Sequence, residues 1–107
     1  MDNPTEVVFD GESLWVANNG SSTVTKLKAS DGSLVGTFTV GSAPFGIAFD
    51  GANIWAGNVG GRSVTILRAS DGLNLGTIAL TGGSPVSLVF DGSHLWIATN
   101  VGKLFKR

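Results

Sequence analysis

Aspartates that recur at fixed spacing are the residues of this sequence whose type is best suited to chemistry. Phe-Asp-Gly occurs at Asp10, Asp50 and Asp91, and Ala-Ser-Asp-Gly occurs at Asp31 and Asp71. Carboxylates can bind metal ions or transfer protons, but aspartate also forms turns, because its side chain bonds the backbone two residues further on. Since each one returns directly before a glycine, we interpret all five as turn residues.

The remaining candidates for catalysis are one histidine, His94, and two glutamates, Glu6 and Glu12. They do not form a Ser-His-Asp set, because His94 and the aspartates belong to turns. The glycine pairs at 60–61 and 82–83 lack the Gly-Lys-Ser/Thr sequence that binds phosphate. We therefore predict no catalytic residue, no metal site and no cofactor.

The composition indicates a folded protein without a strong electric field. Of the 107 residues, 42% are hydrophobic and only 14% charged, which argues against disorder. The net charge of −1 and the absence of a clustered basic surface argue against nucleic-acid binding, and Lys103, Lys106 and Arg107 are expected to form a solvated end. There is no cysteine, no apolar run of membrane-spanning length and no basic or apolar leader at the start, so we expect a soluble chain without a signal peptide, its compartment unassigned.

Internal repetition decides the architecture. The Phe-Asp-Gly triplets, the tryptophans and the prolines each recur first 40 and then 41 residues later. One period holds four apolar segments typical of strands: A (45–50), B (53–58), C (63–69) and D (75–80). Asp-Gly pairs separate A from B and C from D, as in hairpins. Four short strands in about 40 residues are typical of a β-propeller blade.

The three tryptophans, Trp15, Trp55 and Trp96, allow two interpretations. Their regular spacing would suit an aromatic platform for carbohydrate, but strand B lies inside a blade. We therefore predict that they form the core between blades.

The repeats also resemble a known group of proteins. The segments 14–18 (LWVAN), 23–27 (TVTKL) and 44–50 (PFGIAFD) are similar to the YVTN and NHL repeats of β-propellers, and to the repeat of the streptogramin (virginiamycin B) lyases. The resemblance implies blades over nearly the whole chain. For a lyase it would also imply histidine, glutamate and magnesium, whereas here the one histidine aligns with Ser13 and Asn53 just after the A–B turn.

The number of repeats is smaller than a closed propeller requires. We predict a single all-β region at residues 1–107, with a first blade at about 4–43, a second at 44–84 and an incomplete third blade of three strands at 85–107. Propellers close with about four to eight blades. The chain opens in phase and its third B–C loop is shortened, which favours blades closed by oligomerisation over an arbitrary fragment. A homodimer forming a six-bladed ring is the favoured partner arrangement, and a trimer is next.

A ligand is expected on the end of the blades opposite the Asp-Gly turns, where the D–A and B–C loops lie. The candidate ligand-binding residues are Asn18, Asn19, Asn58, Arg62, Thr99 and Asn100 on these loops, and Glu6 on strand A. Small molecules, glycans and peptides are the ligand classes considered. Asn18 and Asn58 have an alternative role, which is to bond the local backbone at strand ends. For Glu6 the alternative, and the favoured one, is a solvated charge near the N-terminus.

These observations predict a non-enzymatic, self-assembling propeller module that acts as a binding or interaction scaffold. Two alternatives stay open at this point. One is a metal-dependent lyase or hydrolase of the streptogramin-lyase type, and the other is a recombined or designed propeller fragment without a native activity.

Overall fold

The computed structural model describes residues 3–107, which form eleven β-strands and, within that range, no helix. Apolar and β-branched residues alternate within short segments, and glycine-containing turns separate these segments. The strands are, in chain order, β1 (Pro4–Phe9), β2 (Ser13–Asn18), β3 (Thr23–Lys28), β4 (Leu34–Thr39), β5 (Pro44–Phe49), β6 (Asn53–Asn58), β7 (Ser63–Arg68), β8 (Asn74–Ala79), β9 (Pro85–Phe90), β10 (Leu95–Thr99) and β11 (Leu104–Lys106).

The strands form three antiparallel sheets, one for each sequence repeat. The first sheet has the order β1-β2-β3-β4, the second β5-β6-β7-β8, and the third contains only β9, β10 and β11. The predicted strands of the second repeat agree with β5 to β8 to within one residue at each end. The predicted shortening of the third B–C loop is also confirmed, because Thr99 N–H already bonds Lys103 O at 2.9 Å. The all-β fold of two four-stranded blades and one three-stranded blade is therefore confirmed.

The hydrophobic core lies between the sheets rather than within one of them. One buried cluster joins the first blade to the second, and another joins the second blade to the third. Trp15 is fully buried in the first cluster and Trp55 packs against the second, so the predicted inter-blade role of these two tryptophans is confirmed. The buried members are Trp15, Ala17, Val24, Ile47, Ile54, Ala56, Leu67 and Ala69 in the first cluster, and Ala48, Val64, Leu80, Leu88, Leu95 and Ile97 in the second.

The first blade has one sheet face that no other part of the described chain covers. Residues opposite each other on neighbouring strands share a face, and the pairs Phe9–Leu14 and Leu14–Leu27 place these side chains with Val7 on that face. We call these four residues the first open face. Val7 is 56% exposed, whereas its equivalent in the second blade, Ile47, is 3% exposed against the first blade.

The third blade has the corresponding uncovered face on its other side. The register places Val89 opposite Trp96, and Trp96 opposite Lys106, with Leu104 on the same face. We call these four residues the third open face. Leu104 is 62% exposed, whereas its equivalents Val24 and Val64, inside the stack of blades, are fully buried. No helix in the described range has the length and apolar character needed to span a membrane.

Candidate functional site

The aspartates of the Phe-Asp-Gly turns bind the tryptophans that follow them. In the first blade, Asp10 Oδ1 accepts two backbone N–H groups at 2.9 and 2.6 Å, and its Oδ2 accepts the Trp15 indole N–H at 2.8 Å. Asp50 and Asp91 repeat this arrangement, each with a tryptophan Nε1 at 2.8 Å. The carboxylates thus close the turns and fix the tryptophan rings, which confirms the turn interpretation.

The environment keeps these carboxyl groups ionised. Burial raises the pKa of Asp10, but the hydrogen bonds from the Ser13 amide, the Trp15 indole and the Glu12 amide together lower it below its usual value. In the third blade, the Trp96 indole and then two backbone amides lower the pKa of Asp91 to about 2. An ionised carboxylate only accepts hydrogen bonds, which suits an anchor of turns rather than a proton donor.

The Asp-Gly turns of strands C and D are anchored in a similar way. Asp71 Oδ1 accepts the Leu73 N–H at 3.0 Å, and the side chain pairs with Arg68, whose hydrogen bond holds the pKa of Asp71 at about 2. Asp31 Oδ1 accepts the Ser33 N–H at 2.9 Å. Across residues 3–107, no three His, Cys, Asp or Glu side chains come together as a group that could hold a metal ion.

His94 is exposed, as its alignment predicts. It lies at the end of the third blade that carries the Phe-Asp-Gly turn, and we call this end of the blades the turn end. Its backbone N–H donates to Asp91 Oδ1 at 2.7 Å, so the residue belongs to the same type of turn. Glu6, the carboxylate of interest on strand A, lies on β1, where its Oε1 accepts the Ile47 N–H at 3.1 Å. Beside it, Thr5 Oγ1 donates to Phe45 O at 2.8 Å, so both residues join β1 of the first blade to β5 of the second.

The structure places Asn18 and Asn58 below the surface at the end of the blades that carries the D–A and B–C loops, which we call the loop end. Their exposed fractions are 1% and 0%, and in each case Nδ2 donates to hydroxyl oxygens of the next strand. The partners are side-chain hydroxyls, and not backbone groups as the sequence suggested, because Thr and Ser occupy the facing positions of β3 and β7. Both Oδ1 atoms are buried and lack a protein partner.

Of the other predicted ligand contacts, Asn19, Arg62 and Asn100 lie at or near the surface of the loop end, whereas Thr99 does not. Asn19 Nδ2 donates to Pro44 O at 3.3 Å, and Asn100 Oδ1 accepts the Ser84 N–H at 3.0 Å, so both hold B–C loops against D–A loops. Thr99 is buried and its Oγ1 accepts the Lys103 N–H at 3.1 Å. Arg62 is exposed, and its backbone φ of 48° repeats the 54° of Ser22 at the equivalent position of the first blade.

A cleft of about 540 Å³ lies between the first and second blades at the turn end, opposite the end where we predicted a ligand. Its charged lining comes from the first blade, and the second blade supplies mainly small or apolar residues. The lining residues are Asp10, Glu12, Ser13, Lys26, Lys28, Val35, Phe49, Gly51, Ala52, Ala69 and Ser70.

Lys26 is a structural feature that sequence reasoning missed. It is only 9% exposed, its Nζ donates to Ala69 O of the second blade at 2.9 Å, and it lies 5.1 Å from the centroid of the Trp15 ring. The contact is a charge-assisted hydrogen bond between blades, supplemented by a cation–π interaction. The available signal was a lysine at a strand position where the next repeat has an apolar residue, Ile66.

Comparison with known proteins agrees with this architecture. No protein-family model matches the sequence, and no curated protein matches it significantly. Among solved structures, hydrazine synthase from Kuenenia stuttgartiensis is 23% identical with a TM-score of 0.84, over 92% of this chain and 30% of that one. The WD40 repeats of RRP9 are 17% identical with a TM-score of 0.78, over 89% of this chain and 32% of that one. Virginiamycin B lyase from Staphylococcus aureus, in a catalytically inactive form with quinupristin, is 17% identical with a TM-score of 0.83, over 96% and 36%.

These likenesses define the chain as a set of β-propeller repeats, which confirms the class predicted from the sequence. Because every identity is below 25%, they show the fold alone. The chain spans about a third of the length of each of these structures.

Proposed function

We propose that this chain is a non-enzymatic β-propeller module that associates with further copies of itself and acts as a binding or interaction scaffold. The observation that carries the proposal is the difference in exposure between equivalent positions. Leu104 on the third open face is 62% exposed, and Val7 on the first open face is 56% exposed. The equivalent residues at the contacts between blades, Val24 and Val64 for Leu104 and Ile47 for Val7, are almost completely buried. Apolar side chains that recur at the positions of an internal core are suited to covering by another blade.

The geometry of propellers favours closure of these two faces into a ring. Each blade presents one face to the preceding blade and the other to the following one, so a stack of three blades has two unlike open faces. Two chains would supply six blades, within the usual range of about four to eight, and a three-chain ring is the next arrangement. No observation favours lyase chemistry, because Glu6 bonds a backbone amide and His94 lies on a turn.

Substitution of Leu104 tests the association. We expect light scattering to give two or three times the chain mass of 11.0 kDa for the unmodified protein, and 11.0 kDa for Leu104→Glu, because a carboxylate at a buried contact is strongly unfavourable. Val101→Glu is the matched control, since Val101 is equally exposed at 61% but lies in the third B–C loop. A folded, monodisperse unmodified protein of 11.0 kDa would contradict the proposal.

The loop end is the proposed binding surface of the scaffold, for a small molecule, a glycan or a peptide. Arg62, Asn19 and Asn100 lie at or near its surface, and Glu6 lies on β1. Asn18 and Asn58 are buried beneath the loops. Arg62 is exposed and can donate charge-assisted hydrogen bonds to a ligand.

Binding at the loop end is tested with an array of glycans and peptides. We expect Arg62→Ala to weaken any specific binding about tenfold, as for loss of one charge-assisted hydrogen bond. Arg68→Ala removes an arginine at the opposite end, where it pairs with Asp71, and is expected to leave binding unchanged. Equal losses in both variants would show that the loop end is not the binding surface.

A further inference from the structure

We propose that the association is directional: the third open face of one copy docks on the first open face of another, and Lys106 donates a hydrogen bond to the backbone carbonyl of Ala29 in that second copy. This inference rests on the proposed self-association and specifies the two surfaces and their register. The partner it requires is a second copy of this chain.

The contact between the first and second blades provides the template. There, Lys26 lies over the Trp15 ring and its Nζ donates to Ala69 O at 2.9 Å. Ala69 belongs to the turn between β7 and β8, and it is only 8% exposed because the first blade covers it. The lysine thus joins the face of one blade to the C–D turn of the next.

The third open face carries the donor half of this contact. Lys106 lies opposite Trp96 in the strand register, as Lys26 lies opposite Trp15, and its Nζ is 5.8 Å from the centroid of the Trp96 ring. In the second blade the same position is Ile66, so a blade does not need lysine there to cover its tryptophan. Lys106 therefore has the position of an inter-blade donor, and none of the three blades formed by residues 3–107 supplies its acceptor.

The first open face carries the acceptor half. Ala29 occurs 40 residues before Ala69, in the same Ala-Ser-Asp-Gly turn, and it is exposed where Ala69 is buried. Val7 and Phe9 beside it are exposed at 56% and 54%. Ala69, which accepts the hydrogen bond of Lys26 on the second blade, thus has an uncovered equivalent, Ala29, on the first blade.

Charge and shape disfavour the pairing of either face with itself. Two third open faces in contact would bring the Lys106 ammonium groups of both copies towards each other. Two first open faces in contact would bury apolar side chains but leave Lys106 and Leu104 exposed. The head-to-tail arrangement covers both faces, and it repeats contacts that the chain already makes twice.

Disulfide trapping tests the register, because the chain has no cysteine of its own. At the contact of the second and third blades, a Cβ on Gly46 would lie 3.2 Å from Leu88 Cδ1 and 3.7 Å from Leu88 N. The equivalent positions across the proposed interface are Ser87 and Val7, so we expect cysteines at these positions to come close enough for a disulfide bond. Ser87→Cys and Val7→Cys chains are mixed under mild oxidation, with an affinity tag on one of them.

We expect the mixed Ser87→Cys/Val7→Cys disulfide to exceed either homotypic product by at least about tenfold, because only the head-to-tail register satisfies disulfide geometry. A dominant Val7→Cys homodimer, from protein whose unmodified form has an oligomeric mass, would overturn the directional arrangement and leave the proposed association intact. A monomeric mass of the unmodified protein would contradict the proposed association itself.

Lys106→Gln tests the proposed hydrogen bond separately, because this experiment does not require a disulfide bond to form between the chains. We expect the dissociation constant between chains to rise about tenfold or more, as for loss of a hydrogen bond to a charged group. Lys28→Gln is the control, since Lys28 lies beside the cleft between the first and second blades and outside both open faces. An unchanged dissociation constant for Lys106→Gln in a correctly folded protein would overturn the Lys106–Ala29 contact.

Discussion

Gly72→Ala is expected to lower the free energy of unfolding by about 3 kcal/mol, since left-handed strain and overpacking each cost about 1–2 kcal/mol. Gly72 has a backbone φ of 78° in the turn between β7 and β8 and is buried. A Cβ at this position would lie 2.2 Å from Cε1 and 2.4 Å from Cζ of Phe38, on the first blade. Phe38 in turn packs against Trp15, with ring centroids 5.5 Å apart, so a shift of the phenylalanine ring changes its packing in the inter-blade core.

Gly32→Ala separates the two causes of this effect. Gly32 has nearly the same φ, 75°, in the equivalent turn of the first blade, but nothing lies within 4 Å of a Cβ built on it. We expect it to lose only the strain contribution, about 1 kcal/mol. Urea unfolding followed by tryptophan fluorescence measures both variants, and Phe38→Leu should restore part of the loss in Gly72→Ala but not in Gly32→Ala. Equal losses in the two glycine variants would show that contact with Phe38 is unimportant.

The strands and their turns could be predicted because their signals are local. Alternation of apolar residues and the Asp-Gly pairs act within a few positions, and the repeat supplies each signal two or three times. Contacts between blades could not be predicted in the same way. Phe38 meets Gly72, and Lys26 meets Ala69, because whole sheets stack, and no pattern within one strand specifies the facing residue.

The candidate site illustrates the same limit. Asparagine at a strand end suggested a surface role, but Asn18 and Asn58 are buried because hydroxyl groups on the adjacent strand satisfy their amides. The bond between each turn aspartate and its tryptophan was available as a signal, since the two residues recur together at a spacing of five. The sequence alone did not lead to this hydrogen bond, because turn formation is already sufficient to account for an aspartate before a glycine.

Asp10→Ala is expected to lower the free energy of unfolding by about 3 kcal/mol, because it removes three hydrogen bonds to one charged acceptor. Two of the donors are backbone amides of the turn, at 2.9 and 2.6 Å, and the third is the indole of Trp15. Trp15 is fully buried in the core between the first and second blades, so without its hydrogen bond to Asp10 the indole N–H would be a buried donor with no acceptor among residues 3–107, which is unfavourable.

Two further variants show which of the three bonds matters most. Asp10→Asn keeps an oxygen for the backbone amides but turns an N–H group towards the Trp15 indole, so its stability should lie between those of the unmodified protein and Asp10→Ala. Asp31→Ala removes a turn aspartate that accepts one backbone amide and no tryptophan, and its loss should be much smaller. Thermal and urea unfolding with tryptophan fluorescence give the three stabilities. If Asp31→Ala proves as damaging as Asp10→Ala, closure of the turn and not the tryptophan anchor is the main contribution, and the aspartate–tryptophan pair does not stabilise the contact between blades.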